Sequence, residues 1–181
     1  ESLPSQSIKG SLRSFKEDGF KINNETIKTA VNEWFKNPKK AEHTYGHISE
    51  WDTSEVTNMR RLFYKQPYFN QPIGNWDVSK VTTMEEMFCS ASTFNQDISY
   101  WNVSSVTNMK AMFSFANSFN QVIGNWDVSA AKNVLFMFYD AKVFNQNLSN
   151  WDVNNVTNCT SFTYATPQWI LPKPNFTNCI P

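Results

Sequence analysis

Hydrophobic positions along the chain recur with a period of 25 residues. The clearest sign is a file of tryptophans, each 25 residues after the previous one: Trp51, Trp76, Trp101, Trp126 and Trp151. A period of this length is typical of repeat proteins, in which each period forms one structural unit and neighbouring units bury each other's apolar faces. The pattern therefore predicts a stack of about five similar units.

The hydrophobic pattern within one unit has two parts. Ile73, Trp76 and Val78 alternate with polar residues in a way that predicts a short strand entering the core. Further along, apolar residues recur at spacings of three and four, which predicts one face of a short helix. The residues of this second part are Val81, Met84, Met87, Phe88 and Ala91.

The chain on either side of the repeats has a different pattern. Apolar residues at i, i+3, i+4 and i+7 predict an amphipathic helix that Asn23 or Asn24 caps and that stops at Pro38. We expect this helix to cover the open end of the first unit, and binding of a partner protein is the alternative. The chain is therefore divided into an N-terminal segment with a capping helix (1–47), a repeat region (48–165) and a proline-rich C-terminal cap (166–181).

A column of asparagines accompanies the hydrophobic pattern. Each member follows a core phenylalanine and precedes a glutamine: Asn70, Asn95, Asn120 and Asn145. Polar groups beside a core need hydrogen-bond partners, so we expect these amides to bond the backbone of their own turn and of the next unit. Ligand binding by the column is the alternative.

The recurring motif Asn-Trp-Asp-Val-Ser…Val-Thr-Asn-Met…Met-Phe…Phe-Asn-Gln resembles the repeats of the BspA-like leucine-rich-repeat surface proteins. The resemblance covers about residues 45–165. It implies a surface-exposed binding or adhesion role without catalysis, and it transfers no site residues. With the unit pattern above, we predict an α/β fold: a right-handed leucine-rich-repeat-like solenoid of about five 25-residue coils, each a short strand plus a short helix.

The charge balance argues against a nucleic-acid partner. Lys and Arg together number 16, as do Asp and Glu, so the chain lacks the net basic charge typical of nucleic-acid binding. No apolar run approaches the roughly 20 residues of a membrane span. The chain starts at Glu1 rather than Met, so we expect that a leader was removed or that the sequence begins inside a longer precursor. We expect an extracellular or cell-surface protein whose leader has been removed.

Three cysteines allow one disulfide. Cys159 and Cys179 lie in the last repeat and its tail, so we predict that they pair and fasten the C-terminal cap. Cys89 is left over. A free or intermolecular thiol is one interpretation of Cys89, and a packed cysteine is the other.

The positions that flank the tryptophans supply the candidate binding residues. They are polar or aromatic, and we predict that they lie on the solvent face of the strands and contact protein or glycan. The set is Asn75, Asp77, Tyr100, Asn102, Asn125, Asp127, Asn150 and Asp152. The alternative function is that of an architectural subunit in a larger surface or particle assembly. No nucleophile or acid–base constellation interrupts the repeats, so we expect no catalysis and no cofactor.

Three other patterns each have two interpretations. The carboxylates of Asp52, Asp77, Asp127 and Asp152 either bind Ca²⁺ as a file or cap their own turns, and we favour capping. A threonine file either presents a flat surface, for example to ice, or caps the predicted helices: Thr57, Thr82, Thr107 and Thr157. His43 and His47 either share a metal or are ordinary loop residues, and we predict no metal site.

The sequence also contains six Asn-X-Ser/Thr sequons, which would accept N-glycans in a secreted protein. They are Asn24, Asn102, Asn147, Asn155, Asn158 and Asn175.

Overall fold

The computed structural model of the protein describes residues 21–181. The prediction made for the first part of the N-terminal segment, residues 1–20, lies outside the described residues. The described chain begins with strand β1 (Lys21–Asn23), helix α1 (Ile27–Lys36) and helix α2 (Pro38–Tyr45). A 3-10 turn (Ile48–Glu50) and strand β2 (Asp52–Glu55) follow, and β1 pairs with β2 in parallel.

Helix α1 lies in the segment where the hydrophobic period predicts a helix. Ile27, Ala30, Val31 and Trp34 form its buried face. The prediction that Asn23 or Asn24 caps it is wrong, because the capping position is Thr26.

Pro38 does more than stop α1. It begins α2, a second helix that the sequence analysis missed. Proline fits the first turn of a helix because its missing N–H would have no intrahelical partner there. Asn37 caps α2, since its side chain accepts a hydrogen bond from the amide of Lys40.

The fold prediction is wrong. Instead of a leucine-rich-repeat-like solenoid of strand-plus-helix coils, the repeat region after β2 consists of turns and loops. Within residues 21–181 the only two strands are β1 and β2, and the only two α-helices precede the repeats. Later units contribute single residues that pair as isolated parallel bridges: Asn58, Thr83, Asn108, Asn133 and Asn158.

The segment predicted as a helix, residues 81–91, forms consecutive turns instead. Met87 and Ala91 donate amide hydrogen bonds three residues back, to Met84 and Phe88. Glu86 and Ser90 have left-handed backbone conformations, with φ of 55° and 61°. A right-handed helix cannot pass through such residues.

The amides between these turns bond the following unit. The amide of Glu86 donates to the carbonyl of Lys110 at 2.8 Å, and that of Phe88 donates to Met112 at 2.9 Å. In a helix these amides would bond the carbonyls four residues earlier. Bonding between units has therefore replaced bonding within a helix, which is why the helical prediction fails.

Aromatic rings fill the space enclosed by the stacked units. Phe88 stacks on Phe94 of its own unit at 3.9 Å and on Phe113 of the next unit at 5.6 Å between ring centroids. Trp126 and Trp151 stack at 6.4 Å. These rings are buried, and each aromatic side chain removes a large apolar area from water. A continuous aromatic core therefore holds units that contain almost no regular secondary structure.

Both ends of this core are covered. Phe35 of α1 packs edge-on against Phe69 of the first unit at 5.8 Å. At the other end, Trp169 packs edge-on against Phe144 at 4.7 Å. No helix within residues 21–181 is long and apolar enough to cross a membrane.

Two glycines mark places where neighbouring units approach most closely. A Cβ on Gly124 would lie 2.5 Å from the carbonyl oxygen of Asn147 in the next unit, and Gly74 faces Asp97 in the same way. The corresponding position of an intervening unit holds Ser99. At Gly74 and Gly124, glycine is favoured by the close approach of the backbones and not by a special φ.

Replacing Gly124 with alanine is expected to lower the free energy of unfolding by about 2 kcal/mol, because the new methyl group forces two backbones apart. Ser99→Ala is the matched control and should lower it by less than about 1 kcal/mol. Urea unfolding followed by tryptophan fluorescence measures both values. Equal losses in the two variants would contradict the close-approach argument.

Candidate functional site

The candidate site is the flanking face, defined as the eight residues beside the tryptophans: Asn75, Asp77, Tyr100, Asn102, Asn125, Asp127, Asn150 and Asp152. All eight are exposed, and Tyr100 exposes 91% of its surface. They lie in turns and loops, so the prediction that a strand presents them is wrong. Buried tryptophans separate the residues before each Trp from those after it.

The tryptophans hold the backbone of this face in place. The indole Nε1 of Trp101 donates to the carbonyl of Ile73 in the preceding unit at 3.2 Å. Trp126 makes the same bond to Ile98 at 3.1 Å, and Trp151 makes it to Ile123 at 3.0 Å. Each indole thus joins its own unit to the one before. The exposed residues on either side of it consequently sit on a backbone that is held in place.

The residue after each tryptophan holds its own turn. Oδ1 of Asp127 accepts hydrogen bonds from the amide of Ser129 at 3.0 Å and from its hydroxyl at 2.6 Å. Asn102 accepts the same two bonds from Ser104, at 3.1 and 2.7 Å. Since an amide oxygen replaces a carboxylate here without loss of the bonds, the negative charge is not needed to form the turn.

The same hydrogen bonds change the acidity of the face. Those from Ser129 lower the pKa of Asp127 below its ordinary value, because they stabilise the carboxylate form. The pKa of Asp77 is lowered for the same reason by Ser79, and burial opposes this shift. Both side chains are therefore ionised at neutral pH.

Metal binding by these carboxylates has no geometric support. Within the part of the chain that the structure describes, no group of three or more His, Cys, Asp or Glu side chains is placed to hold a metal ion. His43 and His47, the other candidates for a metal site, have different surroundings. His47 caps the 3-10 turn through Ser49 and meets the edge of Trp34, whereas His43 lies in the last turn of α2.

The threonine file joins units and caps no helix. Oγ1 of Thr82 donates to the carbonyl of Thr57 at 3.2 Å, and Thr107 repeats this bond to Thr82. Asn24 completes the file at the first unit, where its Oδ1 accepts from the amide of Thr57 at 2.9 Å. The helix-capping interpretation is wrong, because the units contain no helix. The role of Asn24 was missed, since it acts across 33 residues of sequence.

The asparagine column runs along the stack on another side. Oδ1 of Asn95 accepts from the amide of Asn120 at 3.0 Å, and Oδ1 of Asn120 accepts from the amide of Asn145 at 2.9 Å. Asn70 bonds Asn95 in the same way. At the last step, Asn145 accepts from the amides of Ile170 and Leu171 in the C-terminal segment.

Changing Asn120 to leucine is expected to lower the free energy of unfolding by about 1.5 kcal/mol, because the amide of Asn145 loses its acceptor. Asn117, an exposed neighbour without a side-chain hydrogen bond in the described chain, provides the control Asn117→Ala. Thermal unfolding by circular dichroism gives the comparison. A soluble Asn120→Leu protein that melts with the control would show that the column does not stabilise the stack.

The cysteine pairing is confirmed. Cys159 and Cys179 form a disulfide whose Cα atoms are 5.9 Å apart. Cys89 is free and half-buried, and burial raises the pKa of its thiol. The neutral thiol is the less reactive form. These properties favour the interpretation of Cys89 as a packed cysteine.

The six sequons differ in what their amide groups do. Nδ2 of Asn24 donates to Thr57 at 2.8 Å, and Nδ2 of Asn155 donates to the carbonyl of Ser129 at 2.8 Å. A glycan on either would disturb a bond between units. Asn158 is half-buried at its isolated bridge. The three others are exposed: Asn102, Asn147 and Asn175.

A further surface was missed in the sequence, on the consecutive-turn segment. Its first three units are joined by ion pairs, in which Arg60 and Lys110 lie 3.3 and 3.5 Å from Glu85. Its last two units carry stacked rings, with Tyr139 and Tyr164 4.9 Å apart. The signal was present as residues at equal positions of successive units. The contacts between these side chains were not predicted, because each residue was expected to lie on a separate helix.

The structure thus defines a repeat protein in which hydrogen bonds and stacked rings join 25-residue units. A family model described as a Mycoplasma protein of unknown function, DUF285, matches residues 29–121 and 72–169. These matches cover most of the chain, and the protein belongs to the DUF285 family. Comparisons with curated proteins and with solved structures found no match.

Proposed function

We propose that the protein recognises a protein or a glycan at a cell surface, through the flanking face and without catalysis. The observation that carries this proposal is the contrast between a repeated framework and varied exposed side chains. The position before the tryptophan holds tyrosine in one unit and asparagine in three: Tyr100, Asn75, Asn125 and Asn150. A rigid backbone lowers the entropy lost when such side chains bind a ligand.

The chemistry of these side chains supports protein or glycan as the partner. Tyr100 offers an exposed ring, which gives contact area at a small conformational cost. The asparagines beside it offer both donors and acceptors to hydroxyl or amide groups. The carboxylates after the tryptophans already accept hydrogen bonds within their own turns, which favours binding over acid–base chemistry.

An extracellular location is part of the proposal. The Cys159–Cys179 disulfide supports it, because structural disulfides persist in oxidising compartments and are rare in the cytosol. The resemblance to BspA-like surface proteins agrees with this location and stays a prediction.

A four-site alanine variant of the flanking face tests the proposal. It changes Asn75, Tyr100, Asn125 and Asn150, whose side chains make no hydrogen bond within residues 21–181. The matched control changes another exposed column, which also contains one tyrosine: Tyr68, Ser118, Val143 and Gln168. Both proteins are applied to an array of purified glycans and to immobilised mucin.

The flanking-face variant is expected to lose at least about tenfold in affinity, as when a central binding residue is truncated, while the control binds like the unmodified protein. Equal binding by the two variants would contradict the assignment of the face. Failure of the unmodified protein to bind any of these probes would contradict glycan recognition.

A second candidate function is that of an architectural subunit. Exposed apolar side chains on one flank favour it, since Phe115 is 42% exposed and Tyr164 is 59% exposed. Exposed apolar surface of this kind is common where subunits meet. Sedimentation velocity of the purified protein distinguishes the two functions, because an architectural subunit assembles without a ligand.

A further inference from the structure

A small cavity lies between helix α1 and the consecutive-turn segment of the first unit. Its volume is about 140 Å³, and the described residues that line it are Lys28, Asn32, Arg60, Arg61 and Leu62. A water molecule occupies about 30 Å³ of the liquid, so the cavity has room for a group larger than one water. Three of these five residues are cationic and none of the five is acidic. The cavity therefore presents positive charge to a group that enters it.

Helix α1 supplies one wall of the cavity. Lys28 and Asn32 are four residues apart, which places them on the same side of the helix. Both are exposed, because a different side of α1 is buried against the stack. In the part of the chain that the structure describes, neither side chain has a hydrogen bond or an ion pair. The ammonium group and the side-chain amide are therefore available as donors to a ligand.

The two arginines supply the opposite wall, and side chains of the turn segment hold them in place. Nε of Arg60 lies 3.3 Å from Oε2 of Glu85. Nε of Arg61 donates to Glu86, and the guanidinium carbon of Arg61 lies 4.9 Å from the ring centroid of Tyr64. Within the described chain, the terminal nitrogens of the two guanidinium groups donate no hydrogen bond. A guanidinium has five N–H donors, so each arginine keeps donors for a second anion.

The surroundings of the cavity remain positive when the ion pairs are included. Glu85 has two cationic partners, Arg60 and Lys110 of the third unit, at 3.3 and 3.5 Å. Lys28 has no acidic partner among residues 21–181. Charges attract more strongly near a protein surface than in bulk water. The uncompensated charge of Lys28 beside the two arginines thus favours an anionic ligand.

We infer that the cavity binds a tetrahedral oxyanion, the sulfate or phosphate group of a ligand. A carboxylate has two oxygens in one plane, and a single arginine can hold both of them. The oxygens of a sulfate or phosphate group point in four directions, so one group can accept from Lys28 on one wall and from Arg60 and Arg61 on the other. This site is separate from the flanking face and does not rest on the proposed function.

Titration of the full chain with inorganic sulfate and inorganic phosphate, followed by NMR, tests the inference. The amide signals of Lys28, Asn32 and Leu62 are expected to shift in a saturable way with millimolar sulfate or phosphate. Sodium chloride at the same ionic strength should not cause this, because screening acts on all surface charges alike. Acetate is expected to bind at least about tenfold more weakly, because it leaves one wall without an acceptor. Tighter binding of one ion identifies the ligand group as a sulfate or as a phosphate.

A pair of lysine variants places the ion in the cavity. Lys28→Gln removes one charge without breaking an ion pair of the described chain, and it is expected to weaken sulfate binding about tenfold through loss of a charge-assisted hydrogen bond. Lys36→Gln is the matched control, because Lys36 is exposed on the same helix and does not line the cavity. The control should bind sulfate like the unmodified protein.

Two results would overturn the inference. In the first, the signals around the cavity do not respond, or they respond alike to sulfate, acetate and chloride at one ionic strength. In the second, Lys28→Gln and Lys36→Gln bind sulfate equally, which would place the ion outside the cavity. The four-site variant of the flanking face should bind sulfate normally. Failure of this inference is thus separate from failure of the proposed function.

Discussion

Replacement of Trp101 by alanine is expected to lower the free energy of unfolding by about 4 kcal/mol, the largest effect of any single change proposed for this chain. The indole is 4% exposed and lies in the middle of the stack. Phe88 of the preceding unit stacks on it at 6.2 Å. Removal of the ring leaves a cavity that neighbouring rings cannot fill, because hydrogen bonds between units fix the spacing of the backbones.

Trp101→Phe separates the ring from its hydrogen bond. This variant keeps most of the apolar volume and loses only the bond from Nε1 to the carbonyl of Ile73. That carbonyl also accepts from the amide of Trp76, so it does not become an unpaired buried group. The expected loss is therefore about 1 kcal/mol, near the ordinary value of one hydrogen bond.

Urea unfolding monitored by circular dichroism measures both variants. Tyr100→Ala is the matched control, since Tyr100 is the adjacent residue and is 91% exposed, and it should change the free energy of unfolding by less than about 0.5 kcal/mol. A loss below about 1 kcal/mol for Trp101→Ala would show that the tryptophan file does not hold the stack together.

Removal of the disulfide is expected to have the second largest effect. Cys159 and Cys179 are separated by 20 residues. Closing a loop of this length restricts the unfolded chain and stabilises the folded state by about 3 kcal/mol. Cys179→Ser is the better change, because Cys179 is half-buried whereas Cys159 is fully buried and packs in the core.

The loss should be concentrated in the C-terminal segment. Trp169 still anchors this segment through its bond to the carbonyl of Gln146, so proteolysis is expected first after residue 170 and not within the repeats. Limited proteolysis with mass spectrometry locates the cut, and thermal unfolding measures the loss. Cys89→Ser is the control. An equal loss in this control would contradict the assignment of the stabilisation to the disulfide.

The sequence showed much of the packing but not the local structure. Spacings of three and four at Val81, Met84, Met87 and Ala91 suit one face of a helix, and they equally suit consecutive turns that each close after three residues. The choice depends on where the amides of Glu86 and Phe88 bond. Their acceptors lie 24 residues away in the next unit, so no local pattern contains this information.

For the candidate site, too, local features could be predicted from the sequence and contacts between units could not. Exposed and buried positions around Trp101 can be read from the alternation of Tyr100, Trp101 and Asn102. The bond from Asn102 to Ser104 is local and follows from residue type. The bond from the indole of Trp101 to the carbonyl of Ile73 could not be predicted, because it spans 28 residues of sequence.

The sequence by itself determined the 25-residue unit, the aromatic residues that fill the core and the pairing of Cys159 with Cys179. These features follow from residue type and spacing, since burial of apolar area is roughly independent of the backbone path. Only the tertiary structure decided that the units are made of turns and that Gly124 lies against the backbone of the next unit. Hydrogen bonds are directional, so their partners depend on how the units stack.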